Sequence, residues 1–346
     1  MAHILQALIT GISGEVGTGL INKLHLLNYK IVAADIKDPE AGISELIDKF
    51  YKCDISDKSG VDKIFDEQNF DIIFHLASIL STGGEKNPEL AAKVNIDGTL
   101  NLLEAATNQS LKATPLRQGF VGQVKFIFPS SIAAYGLPSM EVKGQRPKVK
   151  ENEFLNPITI YGVSKLSCEN LGSYFSKNYK LLGEIDRNNL IDFRCTRFPG
   201  LLSPDTVPSG GTSDYGPEMV HAAAQGKSYE CFVRPDSTIP FMAMADAADI
   251  LIKLAEAPKK DLQSCVYNVA GFCVSAEEIA NEVKKFFPKF NVTYKINPER
   301  QRIVDSWPID VDDTNAQRDW GWKEKYDFEK TFSEYLVPKI KERYKK

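Results

Sequence analysis

Ile4-Leu-Gln-Ala-Leu-Ile-Thr-Gly-Ile-Ser-Gly-Glu-Val-Gly17 decides the fold. Residues 4–9 read as a short buried strand, and a turn with Gly11, Gly14 and Gly17 at equal spacing follows at once. Val16, Leu20, Ile21, Leu24 and Leu27 then recur at helical spacing. Strand, glycine turn and helix in that order are the context of a dinucleotide fingerprint. The spacing differs from the commoner G-x-G-x-x-G, but the physics is shared. Backbone N–H groups at a helix N-terminus meet the pyrophosphate, and the missing side chains let it approach. The plainer alternative is a merely tight turn, and the rest of the chain counts against it.

Working outward, residues 30–34 form a second strand ending at Asp35, where a carboxylate can accept both ribose hydroxyls and repel a 2′-phosphate. That favours NAD over NADP, although Lys37 stands close by. Residues 50–55 read as a third strand, with Asp54 set to meet the adenine amino group and Ile55 to pack on the ring. Residues 71–77 are a fourth, and Ser78-Ile-Leu-Ser81 leaves it at the carboxyl edge of the sheet, where open α/β folds bind ligands. His75 lies inside that apolar run and reads as a satisfied core histidine. Residues 88–107 form one long helix containing Asn95, which either bridges to neighbouring backbone or is exposed.

Periodicity breaks over residues 113–122, as in a surface insertion. Residues 124–129 form the fifth strand, from whose end Ser130-Ser131-Ile-Ala-Ala-Tyr-Gly136 emerges. A polar loop over 137–157 is placed to edge a substrate entrance. A helix to about residue 179 follows, then a sixth strand over 191–198 that breaks at Pro199-Gly200. This alternation implies an α/β fold, a Rossmann-type doubly wound parallel sheet with a smaller C-terminal α/β substrate lobe. The expected division is 1–198 for the cofactor domain, with a strand and helix returning near 240–257, and 199–346 for the substrate lobe. Thr212 or Ser213 is the expected N-cap of the helix after Gly210-Gly211.

The 346 residues suffice for a sizeable core, and 43% apolar with 25% charged residues is ordinary for a soluble globular chain. A net charge of −4 argues against a general nucleic-acid binder, and no apolar run is long enough for a membrane span. The six cysteines form no C-x-x-C pair and the four histidines show no ligand spacing, so reduced thiols and no metal site are expected. The first strand begins without a targeting segment, which fits a cytoplasmic protein. A eukaryotic source with a trimmed transit peptide would make it mitochondrial.

The chemistry centres on Tyr161-Gly-Val-Ser-Lys165. A tyrosine and a lysine four apart project from one helix face. The ammonium is expected to favour the phenolate and bring a group of ordinary pKa about 10 within reach of neutral pH.

With the glycine turn, Ser131 and Tyr161/Lys165 assembled, the chain resembles the extended short-chain dehydrogenase/reductase family over nearly its whole length. The resemblance implies that Ser131 is the catalytic serine, with Ser130 the alternative. It makes Tyr161 the acid/base and Lys165 the tyrosine's partner and nicotinamide-ribose ligand. Most members act on nucleotide sugars, often with an Arg-x-x-Asn pattern after the sixth strand. Here Arg197-Phe-Pro-Gly200 lacks the asparagine. Gly210-Gly-Thr-Ser-Asp-Tyr215, Asp305-Ser-Trp-Pro308 and Asp319-Trp-Gly-Trp322 instead resemble the branch that oxidises L-threonine without a metal. That likeness implies NAD as cofactor, L-threonine as small-molecule substrate, a role in threonine catabolism and a homodimer. Implied cofactor contacts are Gly11, Ser13, Gly14, Glu15, Val16, Gly17, Asp35, Asp54, Ile55, Leu76, Ala77, Ser78, Asn95, Tyr161, Lys165 and Pro199. Implied substrate contacts are Ser81, Ser131, Tyr161, Gly200, Thr212, Ser213 and Asp214. Two rivals stand beside this: a nucleotide-sugar epimerase or dehydratase, and a non-catalytic NAD-binding regulator.

Overall fold

The computed structural model describes residues 3–112, 122–208 and 211–345. The insertion expected at 113–122 therefore lies outside the described residues except for Gly122, and Gly210 lies outside them too. Two compact units interleave along the chain. Met1–Ser130, Ser164–Thr196 and Ala248–Val266 form the first; Ser131–Val163, Arg197–Ala247 and Tyr267–Lys346 form the second.

The strands are β1 (Gln6–Thr10), β2 (Lys30–Asp35), β3 (Lys49–Lys52), β4 (Ile72–His75), β5 (Lys125–Ser131), β6 (Asp192–Phe198), β7 (Gly200–Leu202), β8 (Tyr229–Cys231), β9 (Thr238–Ala243), β10 (Val266–Asn268), β11 (Phe272–Ser275) and β12 (Val292–Tyr294). The main sheet has seven strands in the order β10-β6-β5-β4-β1-β2-β3. β1 pairs in parallel with both β2 and β4, so the strand order turns back on itself beside β1. Parallel strands covered on both faces read as continuous apolar runs, and Ala7, Leu8 and Ile9 in β1 are fully buried, as are Ile31, Val32 and Ala33 in β2. Leu8, Val32, Ile73, Phe126 and Phe193 from successive strands meet Leu102, Leu103 and Phe175 from helices in one core.

The first unit also buries charge. Arg194, 1% exposed, takes both carboxylate oxygens of Asp192 and donates to the carbonyls of Leu254 and Ala257. It thereby satisfies the Leu254 carbonyl in the last turn of the Met244–Glu256 helix and the Ala257 carbonyl just beyond it.

In the second unit β7 and β11 flank β9, parallel and antiparallel respectively, while β8 and β12 form a parallel pair. Two expectations need correction here. The strand near residue 242 lies in this three-stranded sheet, and β10, expected in the smaller lobe, is the outermost strand of the main one. Apolar content marks a strand as buried without saying which sheet buries it. The polar loop expected over 137–157 contains a helix, Met140–Gln145, capped by the Ser139 hydroxyl. Its Lys143 is buried and donates to the Val304 carbonyl at 3.0 Å, and burial pushes that amine down to about 8.

The long helix after Pro88 is continuous but not uniformly α. It runs Pro88–Ala92, widens to a π-turn over Lys93–Asp97, and resumes as Gly98–Lys112. Asn95 sits in the wide turn, buried, and both donates to the Ile79 carbonyl and accepts from the Ile79 N–H, at 3.0 and 2.7 Å. Of the two readings of Asn95, bridging holds and exposure does not. His75 is the satisfied core residue expected. Its ring nitrogens meet the Thr10 and Thr99 hydroxyls, each at 2.8 Å, and burial pushes its pKa down to about 3.

Candidate active site

In the first unit the glycine turn occupies the point where the strand order reverses. Gly11 has φ +73°, and a Cβ there would fall 2.5 Å from the Ala77 backbone nitrogen, beyond the end of β4. A Cβ on Gly17 would strike the Ile12 carbonyl at 2.7 Å, so this glycine lets helix and turn pack closely. Gly14 differs: a Cβ there would meet only the Gly11 oxygen, at 3.4 Å. It is the N-cap of the Glu15–Leu26 helix and provides no side-chain cap. A helix start bare of side chains beside a reversal of strand order suits the diphosphate of a dinucleotide. Ser13 and Asp35 meet at this turn, the Ser13 N–H donating to the Asp35 carboxylate at 3.0 Å, with the Lys37 N–H on the other oxygen. Each carboxylate oxygen keeps a further acceptor site, which is what a ribose diol requires.

Leu76 and Ala77 lead out of β4, where their N–H groups donate to the carbonyl and hydroxyl of Thr10. Ser78 donates to Asn95 at 3.2 Å, and Ser81 opens the Ser81–Lys86 helix. Asp54 is exposed, with one oxygen taken by the Ser56 N–H. Ile55 departs from expectation. Its side chain is buried in the core against Gly98, filling the space where that glycine has no side chain, so it offers the adenine no apolar face.

Lys165 also belongs to the first unit. It is 4% exposed, donates from Nζ to the Pro129 carbonyl at 2.8 Å, and lies 4.6 Å from the centre of the Phe128 ring. Burial pushes its pKa down to about 8, against the opposing pull of Cys168, Cys195 and Glu169. Glu169 has the Ser130 hydroxyl as a hydrogen-bond donor at 2.5 Å. That commits Ser130 to an internal contact. Glu169 was missed in the sequence, although its place one helical turn past Lys165 marks it.

Tyr161 stands in the second unit, in the same Ile160–Lys177 helix and one turn before Lys165. The Ser131 hydroxyl hydrogen-bonds the phenol and favours its ionisation, but burial outweighs this and pushes the pKa up to about 12. The expected lowering of the phenol in the protein alone is therefore corrected: desolvation of the phenolate is the larger effect. The helix can approach because Gly162 has no side chain; a Cβ there would fall 2.0 Å from the Ala133 carbonyl.

The second unit gathers the other candidates in a tight turn. Gly200 packs near Ser213, with 3.4 Å between its would-be Cβ and the serine's, and Pro199 precedes it at the end of β6. Thr212 is buried and Ser213 partly so. Neither caps the helix that follows. The N-cap of Tyr215–Ala224 is Asp214, and its carboxylate turns back to accept the Gly211 N–H at 2.6 Å. That hydrogen bond gives Asp214 a part in shaping the loop. Trp307, 6% exposed, is buried. All six cysteines are free thiols. Among the described residues no cluster of His, Cys, Asp and Glu can hold a metal, and no helix is long and apolar enough to cross a membrane.

A parallel sheet with a bare glycine turn at its reversal point is the architecture of the dinucleotide-binding α/β proteins. The chain belongs to the NAD dependent epimerase/dehydratase family, which it matches over residues 7–270. A mitochondrial L-threonine 3-dehydrogenase from Bos taurus is 35% identical over 329 residues, 93% of this chain and 79% of that protein. Among solved structures, L-threonine dehydrogenase from Clostridium difficile superposes with a TM-score of 0.84 at 32% identity, covering 99% of each chain. A monomeric L-threonine 3-dehydrogenase from a metagenome gives 0.83 at 35% identity, covering 98% of this chain and 100% of that one.

Proposed function

We propose that this protein is an NAD-dependent L-threonine 3-dehydrogenase, oxidising the side-chain alcohol of L-threonine to give 2-amino-3-ketobutyrate. The observation that carries this reading is the Ser131 hydroxyl bonded to the Tyr161 phenol, with a buried lysine one helical turn further on. Similarity to threonine dehydrogenases over nearly the whole chain supports the choice of substrate.

Gly11, Gly14, Gly17 and Asp35 would hold the dinucleotide, and NAD when bound supplies the acceptor for the hydride leaving the alcohol carbon. Tyr161 takes the hydroxyl proton, and Ser131 donates a hydrogen bond to the same oxygen as it becomes a carbonyl. Burial holds Tyr161 at about 12, so the phenol needs the charge of Lys165 to act as a base. Thr212 and Ser213, at the start of a helix, offer hydroxyl and amide donors to the substrate carboxylate. Asp35 makes NAD the preferred dinucleotide. We read the active species as a homodimer, supported by exposed Leu90, Val163 and Tyr174 on its helices; a monomer in light scattering, as the metagenome enzyme is described, would overturn that.

The deciding assay follows absorbance at 340 nm with NAD and L-threonine, then with UDP-sugars. NADH from threonine alone supports the reading. Conversion of a UDP-sugar, followed by chromatography because epimerisation and dehydration leave no net NADH, would favour the epimerase rival, and NAD binding with no turnover of either substrate the regulator.

A further inference from the structure

We propose that Arg300 is a positioning residue that locks the Gly211–Asp214 turn in the shape that receives the amino-acid end of the substrate. The proposal rests on reading that turn as the substrate loop. Arg300 lies in the Pro298–Ser306 helix, whose start is fixed by Pro298 and by Asn297, the asparagine side chain accepting the Arg300 N–H at 2.9 Å. The guanidinium carbon stands 3.4 Å from the centre of the Phe232 ring, and a terminal nitrogen donates to the Gly211 carbonyl. Phe232 in turn meets Tyr215, the first residue of the following helix, edge to face at 5.9 Å.

The Gly211 carbonyl also accepts the Asp214 N–H at 3.2 Å, and the Gly211 N–H donates to the Asp214 carboxylate. A Cβ at position 211 would fall 2.5 Å from that carboxylate. Asp214 thus closes the turn on itself, and Arg300 ties the closed turn to a capped helix. A planar guanidinium can stack on a ring and donate in its own plane at once, whereas an ammonium cannot do both. Without Arg300 the turn retains its internal bonds but loses its anchor. Substrate binding must then order it, which weakens binding and leaves the chemical step largely intact.

The test compares the full-length protein with Arg300→Met, which keeps an unbranched stem and removes the planar donor. KM for L-threonine is expected to rise about tenfold with kcat within about twofold and NAD affinity unchanged, as for loss of one charge-assisted hydrogen bond. Amide hydrogen exchange in the peptide covering 211–216 is expected to quicken while the Glu15–Leu26 helix is unaffected. Arg300→Lys is expected to recover only part of either change. If Arg300→Met does not fold, Phe232→Leu removes the platform instead and is expected to shift KM and exchange in the same directions. Unchanged KM and exchange overturn the inference. A wild-type protein silent on L-threonine while exchange still quickens in the variant contradicts the assigned substrate but not the anchor.

Discussion

Ser130 and Ser131 are adjacent in sequence and place their hydroxyls in different chemistry. Ser130 Oγ donates to Glu169 in the buried interior, whereas Ser131 Oγ bonds the Tyr161 phenol and accepts the Ala133 N–H at 3.2 Å. Ser131→Ala is therefore expected to lower kcat about 100-fold or more, the effect of removing an oxyanion donor. Ser130→Ala is expected to lower thermal stability and leave kcat within a few-fold; the reverse pattern in steady-state kinetics would exchange their roles. Asp35 carries a second prediction at this scale. Asp35→Ala should weaken NAD about tenfold and narrow its advantage over NADP, through loss of charge-assisted hydrogen bonds to the ribose. Calorimetric titration with both dinucleotides checks it, and unchanged discrimination would show that the carboxylate is not the selector. Gly11, Asp35, Tyr161 and Lys165 could be singled out as candidates from residue type and spacing, and Ser131 through the family resemblance, because each is tied to a local motif. Arg300 was not legible: its partners Gly211 and Phe232 are distant along the chain, and nothing in its own helix marks it.

Elements followed the same division between local and distant causes. Strands built from apolar runs, such as β1, β2 and β6, lie within a residue or two of their expected limits. The sheet to which β9 and β10 belong depends on partners far away, and there the reading erred. The π-turn at Lys93–Asp97 was equally hidden, since Asn95 is fixed by the backbone of Ile79 rather than by its neighbours. Asn95→Ala removes both side-chain hydrogen bonds to the Ile79 backbone, leaving its carbonyl the Ser78 hydroxyl at 3.5 Å. It is expected to cost about 1–3 kcal/mol in urea unfolding, as for one N–H left without its partner. A loss under about 0.5 kcal/mol, the range of an ordinary surface change, would show that the wide turn holds without it.

For the whole molecule, acid sensitivity follows from burying a neutral imidazole. His75 is held near pKa 3 when folded, while in the unfolded chain it titrates near the ordinary 6.5. Between those values the unfolded state binds more protons. The contribution of His75 is complete above pH 6.5 and is lost as pH falls toward 3, by up to about 1.4 kcal/mol per unit. His75→Gln should flatten the fall in urea midpoint between pH 6.5 and 5; an unchanged slope would assign the sensitivity to other groups. Tyr161 and Lys165 lie one turn apart on the Ile160–Lys177 helix. The most direct test is the rate of NADH formation from L-threonine at saturating NAD, wild type against Tyr161→Phe. We predict rapid formation by the wild type and a loss of at least about 100-fold in the variant, with NAD affinity unchanged. Near-normal turnover by Tyr161→Phe, or no NADH from the wild type, would contradict it.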